Sequence, residues 1–119
     1  MGVAPDDFRT HADRIFNDYG DEISRRCAIS RGYYYAFLYT RKKGSQHPQG
    51  NFVYGAGDHG NARDFCREIG GKSLSKQLNG LHEERKKADY ELSINVEVID
   101  VKKFRSDLNN FISDLTNSL

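Results

Sequence analysis

Apolar residues recur at helical spacing along most of the chain. Phe8, Ala12, Ile15, Phe16 and Tyr19 fall at i, i+4, i+7, i+8 and i+11, one face of a first helix that Gly20 ends. Asp21 is placed to cap a second helix running to about Lys43, with Ile23, Cys27, Ser30, Tyr34, Phe37 and Leu38 as its stripe. The glycines and proline of "GSQHPQGN" then break the pattern, and residues 44–57 read as a long polar loop. Asp58 begins a short third helix carrying Ala62, Phe65, Cys66 and Ile69. "GGKS" at 70–73 separates it from a fourth helix with Leu74, Leu78 and Leu81. A last helix starts near Asp100 and carries Val101, Phe104, Leu108, Phe111, Ile112 and Leu115. "SINVEVID" at 93–100 alternates apolar and polar residues, but with no second strand to pair with it reads as an extended connection. The pattern predicts one all-α domain over residues 1–119, an up-and-down bundle of four main helices plus one short helix.

Composition narrows the setting. Hydrophobic residues are 37% and charged residues 29% of the 119, so the core must be economical. The mean hydropathy of −0.76, with no apolar run near the ~20 residues a spanning helix needs, argues against a membrane protein. "MGVAPDDF" has neither the basic nor the apolar region of a secretory signal. Cys27 and Cys66 are far apart in helical contexts and read as small buried hydrophobes in a reducing compartment, which points to the cytoplasm. Eighteen basic residues are balanced by seventeen acidic ones, so any nucleic-acid binding must come from a local patch.

The candidate chemistry lies where polar residues meet the apolar stripes. Arg31 follows Cys27 by four residues and precedes Tyr34 by three, at the edge of the second helix's stripe. Arg85 follows Leu81 by four, near the middle of the fourth helix's stripe, with Asp89 one turn later and His82 on its flank. A cation held against a bundle interior is either paired or lines a cleft, since an unpaired buried charge is costly. The spacing leaves both open: a structural Arg85–Asp89 bridge completed by tyrosine hydroxyls, or an anion-binding cleft between the second and fourth helices. Tyr34 falls on the core stripe, with Tyr33 and Tyr35 flanking it. Arg25, Arg26, Arg41, Lys42 and Lys43, with Arg85, Lys86 and Lys87, read as a basic rim or as solvated helix faces. "GAGDHG" at 55–60 matches G-x-G-x-x-G but lacks the flanking strands of a dinucleotide site; a phosphate at the start of the third helix is the reading that survives. His59, in that junction, is placeable as a general acid or base. His11, His47, His59, His82, Cys27 and Cys66 show no paired ligand spacing, and neither a metal site nor a cofactor is expected.

The order "SRGYYYAF", a His-containing glycine-rich junction, then "LHEERKKADY" resembles the HEPN superfamily of small α-helical domains. It is most similar to the subgroup with S-R-x-Y-Y-A on the second helix and R-x-x-A-D-Y on the fourth. Those positions are here Ser30, Arg31, Tyr34, Tyr35 and Ala36, allowing one residue of slack around Gly32, and Arg85, Ala88, Asp89 and Tyr90. The resemblance covers roughly residues 6–115. It implies a bundle that commonly forms a homodimer, with a cleft lined by these residues. It further implies either a metal-independent endoribonuclease, as a toxin beside a nucleotidyltransferase-type antitoxin or in phage defence, or a relative that binds RNA, a nucleotide or a protein without cutting. In the nucleases an R-x(4–6)-H motif supplies histidine to help the 2′-hydroxyl attack the adjacent phosphate and arginine to stabilise the charge. Here Asp89 and Tyr90 follow Arg85 at that spacing, and Arg41 and His47 match the motif only at a helix end. The expected catalytic set is therefore Arg31, His59, Arg85 and Asp89, with Tyr34, Tyr35, His82, Lys86 and Tyr90 binding RNA or nucleotide.

Overall fold

The computed structural model describes residues 2–18, 20–48 and 58–119. Helix α1 spans Pro5–Phe16, α2 Glu22–Gln46, α3 Asp58–Tyr90 and α4 Val98–Ser118. Tyr19, most of the loop expected over 44–57 and the cap expected of Asp58 lie outside what is described. Among the described residues there is no strand, and the expected all-α bundle is what is seen.

Local chemistry sets the helix starts. Ser24 N–H donates to Asp21 Oδ1 at 2.8 Å, the cap anticipated for α2. The starts of α1 and α4 use a carboxylate one turn in: Ala4 N–H donates to Asp7 Oδ2 at 2.7 Å and Glu97 N–H to Asp100 Oδ2 at 2.8 Å. Asp100 thus lies inside the first turn of α4, which begins two residues earlier than expected. Helix α2 continues three residues past Lys43, with Gly44 buried within it. The "GGKS" break falls at Gly71, whose φ of 79° and ψ of −175° part α3 into a short arm and a long one.

Helix α2 is the central element, packed against α1, α3 and α4. A helix with three neighbours is buried around most of its circumference, so a single stripe does not describe it. Ala28, Ile29, Tyr33, Tyr35, Ala36 and Phe37 are its buried apolar residues, whereas Ile23 and Cys27, placed on the core face by the pattern, are exposed. Cys66 is buried as expected, and burial pushes its thiol up to about 12. By contrast, α4 buries one face, formed by Val101, Phe104, Leu108, Phe111 and Leu115.

Arg25 and Arg26 are not part of a basic rim. Arg26, 7% exposed, inserts beneath the α3–α4 connection and donates to the carbonyls of Ala88 (2.9 Å), Glu91 and Ile94, while Glu22 Oε1 holds its other edge at 2.9 Å. Arg25 Nε donates to Val96 O at 2.7 Å. These two side chains satisfy carbonyls that the end of α3 and the following turn would otherwise leave unpaired.

Candidate functional site

Ser30, Tyr33, Tyr34 and Phe37 of α2 meet residues from both arms of α3. His59 and Arg63, one turn apart, come from the short arm. His82, Arg85 and Asp89 come from the long arm, on consecutive turns of one face. The break at Gly71 lets the two arms face each other, and so brings His59 against His82.

The centre of the site is a stack of rings. The His59 and His82 centroids are 4.6 Å apart with planes 14° from parallel. Tyr33 lies 4.9 Å from His82 at 10°, and Phe37 lies 4.3 Å from His59 at 25°. The Tyr33 hydroxyl and His59 Nδ1 are hydrogen bonded at 2.5 Å. Arg63 Nη1 approaches His82 Nδ1 at 3.3 Å. Desolvation, then the proximity of His59, Lys86, Arg63 and Arg85, drives the His82 pKa down to about 4, so its ring is neutral at pH 7. Burial raises the Tyr33 hydroxyl above its usual range and keeps it protonated.

Beside the stack, Arg85 donates from Nη2 to the Tyr34 hydroxyl at 2.7 Å, and its guanidinium lies 5.0 Å from the Tyr34 ring and 5.4 Å from the Tyr90 ring. Its Nε is 2.8 Å from Asp89 Oδ2, but the N–H is not aligned on that oxygen and finds no hydrogen-bond acceptor, so the contact is ionic only. Ser30 Oγ donates to the same carboxylate oxygen at 3.2 Å. Both elements of the structural reading, the Arg85–Asp89 bridge and the tyrosine hydroxyl that completes it, are therefore present. They sit at the edge of a histidine stack, which that reading does not require.

Of the expected site residues, His59, His82, Arg85, Asp89 and Tyr34 come together. Tyr90 is exposed at the margin, under the Arg85 guanidinium. Lys86 is at the surface in an ion pair with Glu83 at 2.9 Å, close enough to act on His82 through its charge. One expectation needs correction. Tyr35 is buried, with its hydroxyl and ring against Arg9 and its ring against Tyr39, so its polar end is engaged with α1 rather than with the histidine stack. Arg31 is half-buried on α2 and makes no hydrogen bond or ion pair with the cluster. Tyr33, expected at a flank, is in the core and packs in the stack against His82.

Sequence reasoning missed Arg63 and the Ser30–Asp89 contact. The spacing His59-x-x-x-Arg63 was available as a signal, since it places both side chains on one helix face. Among the described residues, no three His, Cys, Asp or Glu side chains converge as a metal set, and no helix is long and apolar enough to cross a membrane. No protein-family model matches the chain, and no curated protein or solved structure matches it either.

Proposed function

We propose that this chain is an HEPN-type RNA-targeting protein of the cytoplasm that cleaves RNA without a metal ion, through the arginine-lined cleft between α2 and α3. One observation carries the reading: two histidines stacked 4.6 Å apart, with Arg63 and Arg85 beside them. Transphosphorylation of RNA needs the 2′-hydroxyl proton to be taken and the departing 5′-oxygen to be protonated, with cationic stabilisation of the phosphate between them. In this scheme the 2′-oxygen bonds to phosphorus as the 5′-oxygen leaves with a proton, giving a 2′,3′-cyclic phosphate. His59 handles the proton and His82 stays neutral beside it, because two imidazoles at this separation do not both carry charge readily. Arg85 is the cation, and Asp89 with Tyr34 holds it in place.

The resemblance in "SRGYYYAF" and "LHEERKKADY" is the second support. It also suggests a homodimer, and a nucleotidyltransferase-type antitoxin or another protein as partner in a toxin–antitoxin or phage-defence setting.

A non-catalytic RNA- or nucleotide-binding module, or a protein-interaction module of the same family, is the competing reading. It is favoured by the engagement of Arg85 with groups of its own chain and by the lack of a histidine five to seven residues after it. Incubating the protein with structured and single-stranded RNAs in EDTA separates the two. Cleavage by the wild type, lost in His59→Ala and Arg85→Ala variants that remain folded, supports the nuclease. Salt-sensitive RNA binding without product supports the binding module.

A further inference from the structure

We infer that Arg63 is a positioning residue that fixes His82 as a hydrogen-bond donor through Nε2. The inference rests on the ribonuclease reading above for its functional meaning, but the geometry behind it is independent of that reading.

A guanidinium carries five N–H donors and no acceptor. The contact of Arg63 Nη1 with His82 Nδ1 at 3.3 Å therefore requires a lone pair on Nδ1. In a neutral ring the single proton then sits on Nε2. Stacking against His59 and Tyr33, at 14° and 10° from parallel, sets the plane of the His82 ring but does not choose between its two flipped orientations within that plane. Arg63 makes that choice. It can do so because it follows His59 by one helical turn, so the same stretch of α3 that supplies one face of the stack supplies the donor. His59 stands differently. Its Nδ1 faces the Tyr33 hydroxyl, which can donate or accept, so the His59 ring can exchange its proton without losing that bond. The two histidines thereby take separate roles: His82 donates to a phosphate oxygen of the RNA, and His59 takes and returns the proton.

The test reads the His82 ring directly. Long-range 1H–15N spectra of the 15N-labelled protein at pH 7 should show an unprotonated His82 Nδ1 and a protonated Nε2 in the wild type. Arg63→Lys, which keeps a donor, should retain that pattern. Arg63→Met, which keeps bulk without a donor, should give mixed tautomers; if it does not fold, Arg63→Gln, whose amide can also accept, takes its place. In RNA cleavage Arg63→Met should lower kcat on the order of tenfold with little change in KM, and Arg63→Lys should recover most of the loss. A protonated Nδ1 in the wild type, or an Arg63→Met spectrum matching the wild type at His82, overturns the inference. Failure of the wild type to cut RNA overturns the ribonuclease reading alone and leaves the tautomer result to stand or fall on the spectra.

Discussion

His82 lies face to face with His59, ring centroids 4.6 Å apart, on the two arms of α3 that Gly71 separates. The contact closes the short arm onto the long one, and both histidines are partly buried. Its first consequence is electrostatic: protonating His82 puts a charge beside a second imidazole and three cationic side chains, Lys86, Arg63 and Arg85.

Stability should accordingly depend on pH through His82. Its folded pKa, about 4, is below the ordinary value of 6.5, so the unfolded chain binds the proton more readily. This contribution is fully present above pH 6.5 and is lost as pH falls from there towards 4. Thermal melting at steps between pH 7.5 and 4 should show the decline, and His82→Phe, which keeps a ring in the stack, should flatten it. An equal slope in the variant would contradict this account.

Arg26 should be the buried charge most sensitive to substitution among the described residues. Its guanidinium is bound by four backbone carbonyls, at the end of α3 and in the turn that follows, and by Glu22. Arg26→Ala leaves those carbonyls without their donor, at a cost of about 1–3 kcal/mol. Arg26→Lys should restore little, because an ammonium cannot reproduce the planar fork. Urea denaturation reads both; a loss below about 1 kcal/mol in the alanine variant would be inconsistent with its burial.

Two glycines should respond to alanine in opposite directions. A Cβ on Gly32 of α2 would stand 2.7 Å from Phe104 Cε1 of α4, and Phe104 is itself buried. Gly32→Ala should destabilise by about 1–3 kcal/mol through overpacking. A Cβ on Gly80 meets nothing within 4 Å in the middle of a helix, so Gly80→Ala should stabilise by about 0.5–1 kcal/mol. Melting temperatures that move together would contradict the packing described.

How much of this was legible depended on how many sides of each helix are covered. Helix α4 buries one face, and the stripe from Val101 to Leu115 is visible in its spacing. Helix α2 has neighbours on three sides, so its apolar residues spread around it; Ile23 and Cys27 were placed inward and Tyr33 at a flank for that reason. Arg85 and Asp89 were legible as a pair because they are one turn apart on one helix. Arg26 and Arg63 were not, because their partners lie across tertiary contacts: the carbonyls after α3 for one, the His82 ring for the other. The Gly71 break was readable from "GGKS", but the meeting of two histidines across it is a property of the folded chain.

The Arg85 contacts should matter more for activity than for folding. The side chain is partly exposed and ion-paired with a partly exposed Asp89, so Arg85→Ala should cost only about 1–3 kcal/mol. If the cation serves the phosphate, cleavage should fall by a factor on the order of 100 or more in the same folded variant. A large loss of stability with no separate loss of activity would return Arg85 to a purely structural role.

The most direct test of the central claim is the chemistry of the product ends. A short RNA and a copy with a 2′-deoxy sugar at the cleavage position are incubated with the protein in EDTA, and the fragments are weighed by mass spectrometry. The account predicts fragments ending in a 2′,3′-cyclic phosphate from the RNA, none from the 2′-deoxy copy, and none with His59→Ala. Cleavage of both substrates, product ends bearing a 3′-hydroxyl, or no cleavage of any RNA would contradict it.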